Sequence, residues 1–122
     1  MYGMEDVAKL PDQEERLAEI TVDANGRDEQ LSGFTAYFTD TLQTPFAATW
    51  RDPDESDHTE AVTVLDVADI DDRRGILLQV RRRNGKERRV VGEQIWAGDA
   101  AGVNATILGD YRTWVDRGGL QY

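Results

Sequence analysis

The residues of this chain that could do chemistry are carboxylates. Asp40 closes a stretch of helical periodicity. The segment after Arg51 then holds five acids in nine residues, among them Asp52, Asp54 and Asp57. Asp23 and Glu29 lie upstream and Asp110 near the C-terminal end. Oxygen donors in this number suit a hard cation such as calcium, which takes about six to eight oxygens from carboxylates, carbonyls and water. The EF-hand pattern is the sharpest test of that chemistry, and the sequence fails it. Asp52-x-Asp54-x-Ser56 begins correctly, but Asp57 stands where glycine is required and Thr63 where the bidentate glutamate belongs. Asp23-x-Asn25 has its glycine too early, and Asp69-x-Asp71 runs into Arg73 and Arg74. Any cation site must be assembled from separate elements or from an irregular loop.

The spacing around Asp40 narrows the choice. Leu31, Phe34, Phe38 and Leu42 mark one face of a helix from Asp28 to about Leu42, ended by Pro45. Asp40 lies opposite that face. It also sits near the helix C-terminus, where the dipole disfavours a carboxylate by about 0.3–1 kcal/mol and a bound cation would offset the cost. Glu29 projects to nearly the same side, but the eleven intervening steps place it roughly 16 Å away along the axis. The two cannot share an ion. Asp40 is therefore the first candidate ligand, to be joined by Asp52, Asp54, Asp57 or Asp110, while Asp23 and Glu29 form a separate N-terminal group.

Other chemistry finds little support. There are no cysteines, and His58 is the single histidine, so no transition-metal set is expected. No catalytic triad order, phosphate loop or paired carboxylates in an apolar cleft is legible, and the chain does not read as an enzyme. Arg81, Arg82, Arg83, Lys86, Arg88 and Arg89 form a basic hairpin on an otherwise acidic chain. Pairing with the abundant acids and protection of a sheet edge is the preferred reading. The alternative function is a non-enzymatic SH3-like barrel module that binds a nucleic acid or an acidic protein through residues 81–89. Nucleic acid is the less expected partner, because no exposed aromatics are interleaved with the arginines.

At 122 residues the chain is sized for one core. Asp and Glu number 24 against 14 Lys and Arg, a net charge of −10, and Lys9 and Lys86 are the two lysines. Such a surface attracts cations and repels anionic membranes and nucleic acid. Acid enrichment at the expense of lysine also suits a high-salt cytoplasm, so a halophilic source is expected. No apolar run reaches membrane-spanning length and no leader pattern opens the chain, which reads as cytoplasmic.

The elements that must position the carboxylates follow in order. Residues 1–15 read as a flexible acidic arm and 16–122 as a single domain. Leu17 to Val22 favours a strand, followed by the Asn25-Gly26 turn. After the helix, Phe46, Ala48 and Trp50 alternate as in a half-buried strand. Residues 61–69 are β-branched, with a change of register between Val64 and Leu65 that predicts a bulge. Asn84-Gly85 marks a hairpin, and Leu78 is set against Val91 unless a one-residue bulge intervenes. A last helix, capped by Asn104, presents Ile107, Leu108, Tyr111, Trp114 and Val115 and stops at Gly118-Gly119. The fold class is α+β: a small SH3-like β-barrel with an amphipathic helix from the N-terminal half and a C-terminal helix packed on it.

Several of these residues recur in one known family. Val22-Asp23-Ala24 with Gly26 and Glu29, Gly33-Phe34, Thr39-Asp40-Thr41-Leu42 and Pro45-Phe46-x-Ala48 resemble the CcbP-like calcium-binding proteins. So do the Val62-x-Val64-Leu65 strand, the apolar-arginine strand with its glycine turn, and Asp110-Tyr-Arg-x-Trp114-Val-x-Arg-Gly118. The likeness spans about residues 17–118. It implies a small acidic protein that binds Ca²⁺ without EF-hands, through carboxylates clustered on its surface, as a buffer or sensor. The chain departs from the pattern at Phe34-Thr35-Ala36, and threonine rather than an acid precedes Asp40, which thins the acidic cluster.

Overall fold

A computed structural model of the chain describes residues 12–21, 26–51 and 59–120. The first element corrects the sequence expectation. Residues Gln13–Ile20 form a helix, α1, rather than a strand beginning at Leu17. Glu14 and Glu15 in its first turn suit the positive end of the helix dipole. Gln13 and Leu17, one turn apart, share the buried face. The expected strand residues Val22 and Asp23, and the arm up to residue 11, lie outside the described residues.

Helix α2 spans Arg27–Thr41, close to its predicted bounds, and buries Leu31, Phe34 and Phe38. Leu42 is already extended, so the helix ends before Thr44, the residue that Pro45 bars from the helical region. Strands β1 (Phe46–Arg51), β2 (Thr59–Asp71), β3 (Gly75–Arg81) and β4 (Glu87–Val91) follow. A 3₁₀ turn at Gly92–Gln94 leads into β5 (Ile95–Ala97), and α3 (Val103–Asp116) completes the fold.

The five strands make one antiparallel sheet in the order β4-β3-β2-β1-β5. The closed SH3-like barrel expected from the sequence is not formed. Closure would need a ladder between β4 and β5, and the described ladder ends at both. β5 has three residues and pairs with β1 alone, while α3 packs on β5 and the 3₁₀ turn. The sheet bends instead through β2, where register shifts fall between Val64 and Asp66 and between Val67 and Asp69. The hairpin adopts the shifted register, with Leu78 opposite Val90 and Val80 opposite Arg88. Its connection closes through Arg82 N–H to the Lys86 carbonyl at 2.7 Å, with Gly85 at φ 86°.

The core lies between the helices and the sheet. Phe34, Phe38, Tyr111 and Trp114 pack ring to ring, Phe38 meeting Tyr111 edge-on at 5.2 Å and Phe34 lying 5.0 Å from Trp114. The Tyr111 hydroxyl accepts the Ile76 N–H at 2.9 Å, and this contact fixes α3 to the start of β3. It also requires glycine at position 75. That residue has φ 76°, and a Cβ there would stand 2.1 Å from the Tyr111 hydroxyl. Among the described residues no helix is long and apolar enough to cross a membrane.

Candidate metal centre

Asp40 is exposed in the last turn of α2, and that turn holds no basic residue to balance its carbonyl ends. Glu29 is exposed in the first turn of the same unbroken helix, so the two acids stay apart as the helical rise dictates. Beyond the helix the chain is tied to α3. Asn104 does not cap α3, whose N-cap is Gly102. Its side chain instead accepts the Gln43 N–H at 2.8 Å and donates to the Gln43 carbonyl at 2.9 Å. This two-way amide contact fixes the exit of the chain from α2.

Asp110 has a different environment. Its side chain is fully buried. Arg16 approaches it with two donors, Nε to Oδ2 at 2.7 Å and Nη2 to Oδ1 at 3.0 Å. The Tyr37 hydroxyl donates to Oδ2 at 3.0 Å and Gln13 Nε2 to Oδ1 at 3.2 Å. One carboxylate thus joins α1, α2 and α3. The pairing holds the Arg16 guanidinium above its ordinary pKa, through the hydrogen bond to Asp110. Burial, reinforced by the Asp110 charge, pushes Tyr37 up to about 12. A cation could reach Asp110 only by displacing these donors. The signal was present in the sequence: Ile107, Asp110, Tyr111 and Trp114 share one helical face, and that face is the core.

Asp23, Asp52, Asp54, Asp57 and His58 lie outside the described residues, but the anchors of the 52–58 segment are well placed. Arg51 pairs with Thr59, at one end of the β1–β2 ladder. The chain leaves α2 at the other end of β1, where Phe46 pairs with Val64. Six strand residues, roughly 17–20 Å, therefore separate the Asp40 end from the anchors of the acidic segment.

On the Asp40 side, the end of α2 and the distal half of β2 enclose a groove of about 400 Å³ lined by Thr35, Thr39, Thr44, Asp66 and Asp69. Sequence reasoning did not nominate these two acids as ligands. The two register shifts of β2 fall beside them, and each carboxylate accepts the N–H of its own successor at 2.8 Å. Asp69 also lies 3.8 Å from Arg89. Asp40, opposite the buried face of α2, points away from this groove rather than into it. Among the described residues, no three acidic or histidine side chains are grouped as a ready metal site.

Two other carboxylates differ from ordinary surface acids. Glu60 continues the inward alternation of Val62 and Val64 and is buried against Arg82 at 2.8 Å. Glu93, in the 3₁₀ turn, has a buried Oε1 with no hydrogen-bond partner, and burial followed by the charge of Asp116 raises its pKa. Nearby, Arg112 stacks on Trp96 with its guanidinium carbon 3.4 Å from the ring centre and donates to the Ile95 carbonyl at 2.7 Å. Burial, then the Arg51 charge, pulls Arg112 down to about 10.

These features have counterparts among known proteins. A solved structure described as a calcium binding protein in the calcium-binding form is 27% identical, with a TM-score of 0.76 over 94% of this chain and 98% of that one. The crystal structure of Anabaena CcbP is 26% identical, with a TM-score of 0.69 over 87% of this chain and 90% of that one. No curated protein matches the chain by sequence. The model of the CcbP family, described as calcium binding, matches residues 15–115. That span covers most of the chain, including nearly all of the three helices and the whole five-stranded sheet: this protein belongs to the CcbP calcium-binding family.

Proposed function

We propose that this protein is a non-EF-hand calcium-binding protein, a buffer or sensor that holds Ca²⁺ through surface carboxylates and has no catalytic role. The observation that carries the reading is family membership across residues 15–115, joined by 27% identity to a protein solved in its calcium-binding form. The donor chemistry fits: the chain is rich in carboxylates, has no cysteine, and carries a net charge of −10. The carboxylates fall into three groups. Asp40, with the uncompensated carbonyl end of α2 beside it, is the first ligand. Asp66 and Asp69 extend the acidic surface along the groove beneath that helix end. Asp52, Asp54 and Asp57, which follow β1 in the chain, form a second group by sequence, and Asp23 with Glu29 a third. Asp110 serves the proposed function as the anchor of the helices rather than as a ligand.

Calorimetric titration with CaCl₂ in a constant high concentration of NaCl tests this, with amide spectra recorded in parallel. The expected result is saturable binding, with shifts concentrated near Asp40 and the distal half of β2, weakened by Asp40→Asn. Uniform, unsaturable shifts at every acid would show only a general ion atmosphere and would sink the reading.

A further inference from the structure

We propose that β4 is a docking strand, and that its ligand is an extended acidic segment of a partner protein, added to the sheet edge beside the arginine hairpin. β4 is the outermost strand, hydrogen-bonded to β3 on one side and to no other described strand. An outer strand offers a row of backbone donors and acceptors to any chain that can lie alongside it. Its side chains then select what lies there. Residues 81–89 hold six of the chain's 14 basic residues (Arg81, Arg82, Arg83, Lys86, Arg88 and Arg89) against the one acid Glu87.

The expectation that the surrounding acids neutralise this hairpin holds for only part of it. Arg82 is committed to Glu60. Arg88 lies over the Trp50 ring at 4.9 Å, which orients it without neutralising it. Arg89 meets Asp69 at 3.8 Å with both side chains about 60% exposed, a contact worth little in water. Arg81, Arg83 and Lys86 are exposed and have no ion pair among the described residues.

Edge protection by itself needs charge of either sign, and this chain has acids in excess. An edge guarded by cations on a protein of net charge −10 selects for acidic ligands. A peptide is favoured over a nucleic acid for two reasons. The edge supplies main-chain hydrogen bonds that a peptide backbone can use. Trp50, the aromatic beneath the arginines, is also buried and offers no face for base stacking.

The test is an amide-resonance titration of the full chain, in EDTA at low salt, with a short peptide of alternating glutamate and valine. The expected result is saturable shifts confined to residues 87–91 and the 82–86 turn. Affinity should fall about tenfold or more in the double variant Arg81→Glu/Arg89→Glu, and less in Arg81→Gln/Arg89→Gln. Both positions are exposed, so both variants should keep the parent circular dichroism and melting behaviour. The proposal is overturned by no binding at low salt, by equal binding of a backbone N-methylated peptide, or by equal binding of a lysine–valine peptide. It is also overturned by preferential binding of a single-stranded oligonucleotide, or by self-association that the double variant abolishes. EDTA keeps the outcome independent of the calcium reading.

Discussion

Asp40 and Asp110 are the same side chain in opposite settings. Asp110 is buried, and four donors from Gln13, Arg16 and Tyr37 point at its two oxygens. Asp40 is exposed on the outer side of α2, at a helix end that disfavours negative charge. The first carboxylate has its counter-charge built into the fold. The second has none among the described residues. A carboxylate kept for an exchangeable ion must resemble Asp40, because a carboxylate already satisfied by protein donors gains little from a cation that has to displace them.

The largest way to break this comparison is Asp110→Ala. It leaves a partly buried Arg16 and the Tyr37 hydroxyl without their acceptor. The expected loss is about 3 kcal/mol, at the lower end for a broken buried pair because Arg16 is 26% exposed. Denaturant unfolding measures it. A loss below about 1 kcal/mol would mean that Asp110 is no anchor and return it to the set of ligands.

Glu93 offers the next test, as a half-buried carboxylate with one buried oxygen, Oε1, that has no hydrogen-bond partner. Its folded pKa is raised, so the native state holds its proton more firmly than the unfolded chain does. Its contribution is therefore fully present below the ordinary glutamic-acid range and is lost as pH rises from that range through the raised folded value. Glu93→Gln should flatten this part of the stability–pH curve and raise stability at neutral pH by about 1 kcal/mol, through removal of a buried charge. Urea midpoints from pH 4 to 8 for parent and variant provide the check, and parallel curves would count against it.

Asp40→Asn should affect stability far less and in the opposite direction. Removing a negative charge from the helix C-terminus gives a gain of about 0.3–1 kcal/mol without calcium. With calcium the variant should lose the ligand-induced rise in melting temperature that the parent shows. Thermal scans with and without CaCl₂ distinguish the two effects, and an unchanged calcium response would remove Asp40 from the site. The smallest effect belongs to Arg117→Ala. Arg117 makes a charge pair with Glu14 at 2.5 Å that also joins α1 to the end of α3. Both partners are more than half exposed, so the loss should stay within about 0.5 kcal/mol by the same unfolding measurement. A value near that of Asp110→Ala would show that the link between helices matters rather than burial.

Local pattern made much of this molecule legible. The period of Leu31, Phe34 and Phe38 places α2, Pro45 ends it, and Asn84-Gly85 places the hairpin to within one residue of register. The face shared by Ile107, Tyr111 and Trp114 places α3. The failures occur where long-range partners outweigh local propensity. Leu17 to Ile20 is the end of a helix whose residues Gln13 and Arg16 reach Asp110 nearly a hundred residues away, and no property of Ile-Thr-Val reports that contact. Asn104 has the chemistry of a cap and is used as a cross-link to Gln43.

The sequence by itself determined the chemistry on offer: carboxylates in excess, no thiols, no EF-hand loop, and the arrangement of motifs that places the chain in its family. Residue type, charge and short-range spacing are written directly in the chain, and those properties need no fold. Only the tertiary structure decided which acids are spoken for. Asp110 and Glu60 face inward to arginines, and Asp66 and Asp69 are displayed beside the register shifts of β2. Those assignments depend on which side chains the packed core brings within about 3 Å of one another. Such proximity follows from burial over the whole chain rather than from any one stretch of it.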